Sequence, residues 1–249
     1  MGDRNGSEAV LGAGVSRTAR SGRLTARPGT PREQAAPAGT HPLSVGPGHE
    51  TLLHVPRGYR PDEPVALAVL LHGAGGTARF GLELLLSLAD EANVLLVAPR
   101  SQGPTWDVIA GGFGPDVRII DRALAHVFER HAVDPARVAI GGFSDGASYA
   151  LTLGLANGDL FSNVLAFSPG FAAAPVQVGM PGIFICHGTH DRVLPIGQCG
   201  RWLARELGHG GYAVHYREFD GAHVVRDEER REAVRWWLEG QQGPQGVAR

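Results

Sequence analysis

Ser144, Asp191 and His223 are the residues of this chain whose types and surroundings best suit covalent chemistry, and each follows a short apolar run. A serine hydroxyl is a weak nucleophile until a neighbouring base takes its proton. An imidazole titrates near neutrality and suits that task, and a carboxylate can hold the ring in the right tautomer. Ser144 is the centre of Gly142-Phe143-Ser144-Asp145-Gly146, a G-x-S-x-G pattern. The spacing has a mechanical reason: a serine at a sharp strand-to-helix turn projects above the sheet, and glycines on either side remove Cβ atoms that would clash there. In a chain with 36 glycines the bare pattern arises easily by chance, and a serine before a helix is also an ordinary N-cap. Context favours the nucleophile, because an apolar strand precedes the motif and a helix rich in Ala and Leu follows it.

Acyl transfer also needs two donors aimed at the developing oxyanion. One is expected from the backbone N–H of Asp145. The other is assigned to Ala74 in His72-Gly73-Ala74-Gly75-Gly76, a glycine-rich loop directly after the apolar run Val65–Leu71. His72 itself is read as structural. Asp191, in His187-Gly188-Thr189-His190-Asp191, follows the apolar run 183–186 and is taken as the orienting acid. Asp220 is the rival, but it stands beside the base and reads as a turn former. His223 closes Asp220-Gly221-Ala222-His223 after another strand and is the last histidine of the chain. His187 and His190 resemble a metal pair only loosely, and no further ligand completes a site. No metal and no cofactor is expected.

The elements that must position these groups alternate along the chain. Strands are expected at Thr51–Val55, Val65–Leu71, 94–98, 138–140, 164–167, 183–186 and Val214–Phe219. Helices are expected at 80–91, 116–131, Asp145–Ala156, 198–207 and Asp227–Leu238. One or two short edge strands are expected within 21–45. This order implies βαβ units: an α/β fold with a mostly parallel central sheet and helices on both faces. In such sheets ligands bind beyond the carboxyl ends of the strands, where all three candidate residues stand. Residues 1–20 are expected to be disordered, 21–240 to form a single domain and 241–249 a loose tail. No insertion is long enough for a lid domain.

Composition excludes several alternatives. All 23 Lys+Arg residues are arginine, which rules out a Schiff-base lysine and a Walker A loop. A formal net charge of −2 gives no reason to expect nucleic acid as a partner. No apolar run approaches a membrane span, and the first residues lack a secretion signal, so a cytoplasmic location is expected. Cys186 and Cys199 are read as two buried thiols in preference to one bridge.

Together these segments resemble the phospholipase/carboxylesterase group of the α/β-hydrolase superfamily, with polyhydroxyalkanoate-depolymerase-like esterases as relatives. The matching pieces are LLHGAGG, TWDVI, DPARVAIGGFSDGASYAL, SPGF, HGTHDRVLPI and DGAH, spread from Leu70 to His223. The resemblance implies an α/β-hydrolase fold, triad roles on Ser144, Asp191 and His223, and cofactor-free hydrolysis of small esters or, in some members, thioesters. In the best-known subgroup glutamine follows the serine. Here it is Asp145, a carboxylate that disfavours anionic substrates nearby. Trp106, Phe113, Phe143, Phe171 and Leu194 are candidates to wall a pocket for short or medium acyl chains. The expected function is thus a serine carboxylesterase, with an acyl thioesterase or lysophospholipase as alternative and a non-catalytic ligand-binding protein as the rival from another class.

Overall fold

A computed structural model describes residues 21–46, 50–109 and 111–240. The segments expected to be loose at 1–20 and 241–249 lie outside the described residues. Among the described residues one sheet of eight strands runs through the molecule in the order β1-β2-β4-β3-β5-β6-β7-β8. The strands are β1 (Gly39–Pro42), β2 (Thr51–Val55), β3 (Val65–Leu71), β4 (Val94–Pro99), β5 (Val133–Phe143), β6 (Asn163–Phe167), β7 (Gly182–Gly188) and β8 (Val214–Phe219). The first two pair antiparallel, as does β2 with β4. From β4 to β8 every pairing is parallel.

The apolar sequence of β3 explains its central place. Val65, Leu67, Val69 and Leu71 point into one core cluster, whereas Ala66, Ala68 and Leu70 point into the other. A strand buried on both faces has no polar side to show, as expected for parallel sheets. Each buried Leu or Val of this kind contributes about 1.5–3 kcal/mol. Helices α3 (Pro115–Arg130), α4 (Asp145–Ala156) and α5 (Gly200–His209) cover the first face. The opposite face is covered by α1 (Ala78–Glu83), the short α2 (Ala89–Ala92) and α6 (Asp227–Leu238).

Two elements differ from expectation. The helix expected over 80–91 is broken: Thr77 caps α1, and a 3-10 turn at Leu86–Leu88 separates it from α2. Leu84, Leu85, Leu88 and Ala89 are all buried. Strand β5 starts earlier than expected, at Val133, with a register shift opposite Val65–Leu67. The extra length holds an Asp-Pro turn in which the N–H of Ala136 donates to Asp134 Oδ1 at 2.9 Å. Within 21–45 one edge strand forms, β1, in line with the one or two expected there.

The sheet reverses its order of growth at β3, which has β4 on one side and β5 on the other. Such a switch point opens a crevice at the carboxyl ends of the strands. The register aligns Leu71 with Gly142, Phe143 with Phe167, and Gly188 with Phe219. The loops after β3, β5, β7 and β8 therefore leave the same rim of the sheet.

Candidate active site

Ser144 sits between β5 and α4 with φ 57° and ψ −120°, a left-handed backbone that an L-residue seldom adopts. Conformations of this kind cost on the order of 1–3 kcal/mol and persist only where the surroundings enforce them. Here the N–H of Ser144 donates to the Phe167 carbonyl at 3.0 Å. A Cβ at Gly142 would come within 2.5 Å of the Gly146 carbonyl group, and one at Gly146 would run into the carbonyl oxygens of Leu71 and His72. Both glycines of the motif are thus dictated by close backbone approach.

His223 lies between Ser144 and Asp191. Its Nδ1 is 2.6 Å from Asp191 Oδ2, and its Nε2 is 2.8 Å from Ser144 Oγ. An ionised carboxylate only accepts, so the proton resides on Nδ1 and Nε2 is free to accept from the serine hydroxyl. Asp191 Oδ1 accepts from the N–H groups of Val193 at 2.9 Å and Leu194 at 2.8 Å. Burial pushes the Asp191 carboxyl upward, but the donors Leu194, His223 and Val193 together hold it below the usual carboxylate value. The two loops carrying acid and base are tied together, with Thr189 N–H donating to Phe219 O and His190 N–H to Gly221 O, both at 2.9 Å. Gly188 is required beneath them, because a Cβ there would meet the carbonyls of Gly221 and Ala222. Asp220, the rival acid, instead pairs with His190 Nδ1 at 3.0 Å in an exposed position.

The glycine-rich loop lies beside the serine. A Cβ on Gly73 would stand 3.5 Å from that of Ser144. Gly75, at φ 67°, donates to Pro104 O at 2.6 Å, and Gly76 donates to Gly73 O at 3.0 Å. Among the described residues the intervening N–H of Ala74 has no backbone acceptor. Asp145 is the first residue of α4, and its N–H has no acceptor within that helix. His72 is buried and structural: Nδ1–H donates to Gly73 O at 2.7 Å and Nε2 accepts from Ser101 N–H at 3.0 Å. Burial holds it below the ordinary histidine value, against the opposing pull of the Gly73 carbonyl.

The five candidate pocket walls divide. Trp106 is fully buried and stacked between His72 and Tyr149, with Nε1 donating to the His72 carbonyl at 2.9 Å. It supports the glycine loop from beneath and lines no accessible wall, which corrects the expectation. Phe113 is half-buried and packs on Tyr149 and against Gly22. An aperiodic loop gives no signal of which way a ring such as that of Trp106 points. Phe143 lies against the His223 ring at 4.7 Å between centroids. Leu194 leans on Gly170, next to half-buried Phe171, whose segment is fastened to α4 by Ser148 Oγ accepting from Gly170 N–H at 2.9 Å and Phe171 N–H at 3.4 Å. Three contributors escaped the sequence reading: Ser148, Thr105, which donates to Asp145 Oδ2 at 2.6 Å, and His187, which touches Asp191. Of these only His187 is singled out in the sequence, and there as a loose metal pair with His190.

Among the described residues no cluster of three or more His, Cys, Asp or Glu could hold a metal ion. None of their helices is long and apolar enough to cross a membrane. Cys186 and Cys199 are both free and buried.

Known structures share this architecture. The Staphylococcus aureus S-formylglutathione hydrolase superposes with a TM-score of 0.65 at 14% identity, over 82% of this chain and 99% of that one. The Bacillus cereus carboxylesterase matches with a TM-score of 0.58 at 20% identity, over 78% and 95%. The chain has the α/β-hydrolase fold. Within that fold, residues 117–210 match the family model described as phospholipase/carboxylesterase. The chain is also 29% identical over 161 residues to feruloyl esterase C of Emericella nidulans. That alignment covers 60% of this chain and 57% of the relative, so the chain spans little more than half the relative's length. The chain thus resembles the phospholipase/carboxylesterase group, as its motifs suggest.

Proposed function

We propose that this chain is a serine ester hydrolase that works through an acyl-enzyme on Ser144. The observation that carries the reading is the continuous relay from Ser144 Oγ to His223 Nε2 at 2.8 Å and from His223 Nδ1 to Asp191 at 2.6 Å. His223 takes the serine proton as Oγ attacks the ester carbonyl, and Asp191 stabilises the resulting imidazolium without accepting the proton. The tetrahedral oxyanion is received by the N–H groups of Ala74 and Asp145. The imidazolium protonates the leaving alcohol, and water activated by the same imidazole then releases the acid.

The substrate class is small, neutral esters with short or medium acyl chains. Leu194 and the fastened Phe171 segment form the acyl wall, and Asp145 disfavours anionic groups near the reacting carbonyl. The same chemistry cleaves thioesters, so comparing acyl-CoA with oxygen esters of equal acyl length separates the thioesterase alternative. Two free, buried thiols suit a reducing compartment, and the cytoplasm is the location proposed.

The test is Ser144→Ala. It is expected to abolish turnover of p-nitrophenyl butyrate and labelling by a fluorophosphonate while leaving thermal unfolding cooperative. Turnover retained in a folded Ser144→Ala variant contradicts the reading. Inertness of the unmodified protein towards a broad ester panel, with tight binding of a small ligand, supports the non-catalytic alternative instead.

A further inference from the structure

The mechanism above gives no task to His187, the penultimate residue of β7, whose side chain is fully buried. Its two ring nitrogens face unlike surroundings. Nε2 lies 2.8 Å from the Leu194 carbonyl oxygen and 3.2 Å from Asp191 Oδ2, the same oxygen that receives His223. Among the described residues its buried Nδ1 has no partner. Gly200, at the start of α5, seals it: a Cβ there would stand 2.6 Å from Nδ1.

These surroundings allow one tautomer. Both groups facing Nε2 are acceptors, so that nitrogen must carry the proton. A proton on Nδ1 would be a buried donor with nothing to receive it, an unmade hydrogen bond that the folded state disfavours. Burial is the largest influence on the ring and holds it below the ordinary histidine value, outweighing the pull of the Leu194 carbonyl and of Asp191. His187 is therefore a neutral, fixed N–H donor.

We propose that His187 is a positioning residue for the acid of the site, sharing its Nε2–H between Leu194 and Asp191 Oδ2. The inference rests on the esterase reading of Ser144, His223 and Asp191. Val193 and Leu194 anchor Oδ1 from the loop, and His187 anchors Oδ2 from the strand, so the carboxylate cannot turn away from His223. The donor also draws charge from Oδ2 and so moderates the hold of Asp191 on the imidazolium. The other titratable groups around the pair are Cys199 beside the start of α5 and Glu218 on β8, the latter bound by Arg201 at 2.7 Å.

The experiment compares wild type, His187→Leu, His187→Gln and Ser144→Ala on p-nitrophenyl butyrate across the acid limb of the kcat/KM profile. His187→Leu is expected to lower kcat about 10- to 100-fold with KM little changed, since small misplacements of a reacting group have effects of that size. With the donor gone, Asp191 holds the imidazolium more firmly, and the acid limb moves to higher pH by roughly half a unit, about a threefold change in proton affinity. His187→Gln, whose amide reaches the place of Nε2, recovers most of the rate and the original limb. If the leucine variant does not unfold cooperatively, His187→Asn, too short to reach Asp191, takes its place. A folded Leu or Asn variant with wild-type kcat and an unmoved acid limb overturns the proposal, as does a loss that Gln fails to recover. The Ser144→Ala arm separates the two levels. If it retains turnover the esterase reading fails, whereas an inert Ser144→Ala beside an unaffected His187→Leu removes only the role of His187.

Discussion

Thr105 Oγ1 donates to Asp145 Oδ2 at 2.6 Å, which fastens the loop after β4 to the residue that follows the nucleophile. Asp145 thus presents a fixed negative charge next to its own N–H, the proposed oxyanion donor. Unit charges about 6 Å apart repel by at least about 0.7 kcal/mol even in a water-like dielectric. Asp145→Asn is expected to raise kcat/KM for a hemisuccinate ester relative to a butyrate ester by about threefold or more, most clearly at low ionic strength. An unchanged ratio for the two esters means that Asp145 does not select by charge.

Trp106 predicts a structural effect that reaches the chemistry. Buried between His72 and Tyr149, it is the floor under the glycine loop. Trp106→Ala is expected to cost about 3–5 kcal/mol of stability, in the range of buried aromatic truncations. Trp106→Phe keeps most of the packing but strands the His72 carbonyl. It should lower kcat more than it raises KM, because the donors at the oxyanion shift while substrate contacts stay. Denaturant unfolding alongside steady-state kinetics checks both, and a Trp106→Phe variant with raised KM and unchanged kcat contradicts the assignment.

Ser148 governs the acyl wall. Its hydroxyl receives the N–H groups of Gly170 and Phe171. Ser148→Ala releases that segment, and the expected result is a broader acyl-length profile in a p-nitrophenyl ester series, with longer chains gaining relative to butyrate. A profile identical to wild type in the folded variant places the acyl wall elsewhere.

Asp116 supplies a pH signature of opposite sign to Asp191. It accepts from the N–H groups of Gln102 and Asp107, yet burial, with nearby Asp107, pushes its carboxyl up to about 6. A carboxyl raised on folding binds its proton more tightly in the folded chain. Its contribution to stability is therefore largest below the unfolded value near 4 and falls as the pH rises through about 6. Asp191, held low, contributes stability above the unfolded value that is lost as pH falls. The Tm advantage of wild type over Asp116→Asn is expected to shrink on moving from acid to neutral pH, and an advantage that grows instead contradicts the burial account.

Much of this arrangement is legible in the sequence because backbone demands leave marks. Val65–Leu71 is apolar at every position, since both faces of β3 are covered. Gly142, Gly146 and Gly188 stand where a Cβ has no room. Loops that leave one rim of a parallel sheet bring Ser144, Asp191 and His223 together although they are far apart in the chain. What stayed hidden depends on side-chain direction. Trp106 has the composition of a pocket wall but turns into the core, and Ser148 has an unremarkable place in a helix until its hydroxyl is seen to hold the Phe171 segment. The leucines at 84, 85 and 88 gave a helical rhythm, but a 3-10 turn at Leu86–Leu88 breaks the helix there.

The central claim is that the acyl group passes through Ser144. Acid quenching during turnover of p-nitrophenyl butyrate, followed by mass spectrometry of the peptides, tests it most directly. The expected result is a single butyryl adduct on the peptide containing Ser144, absent in Ser144→Ala. An adduct on another residue, or none in a chain shown to accumulate an intermediate by a kinetic burst, contradicts the account.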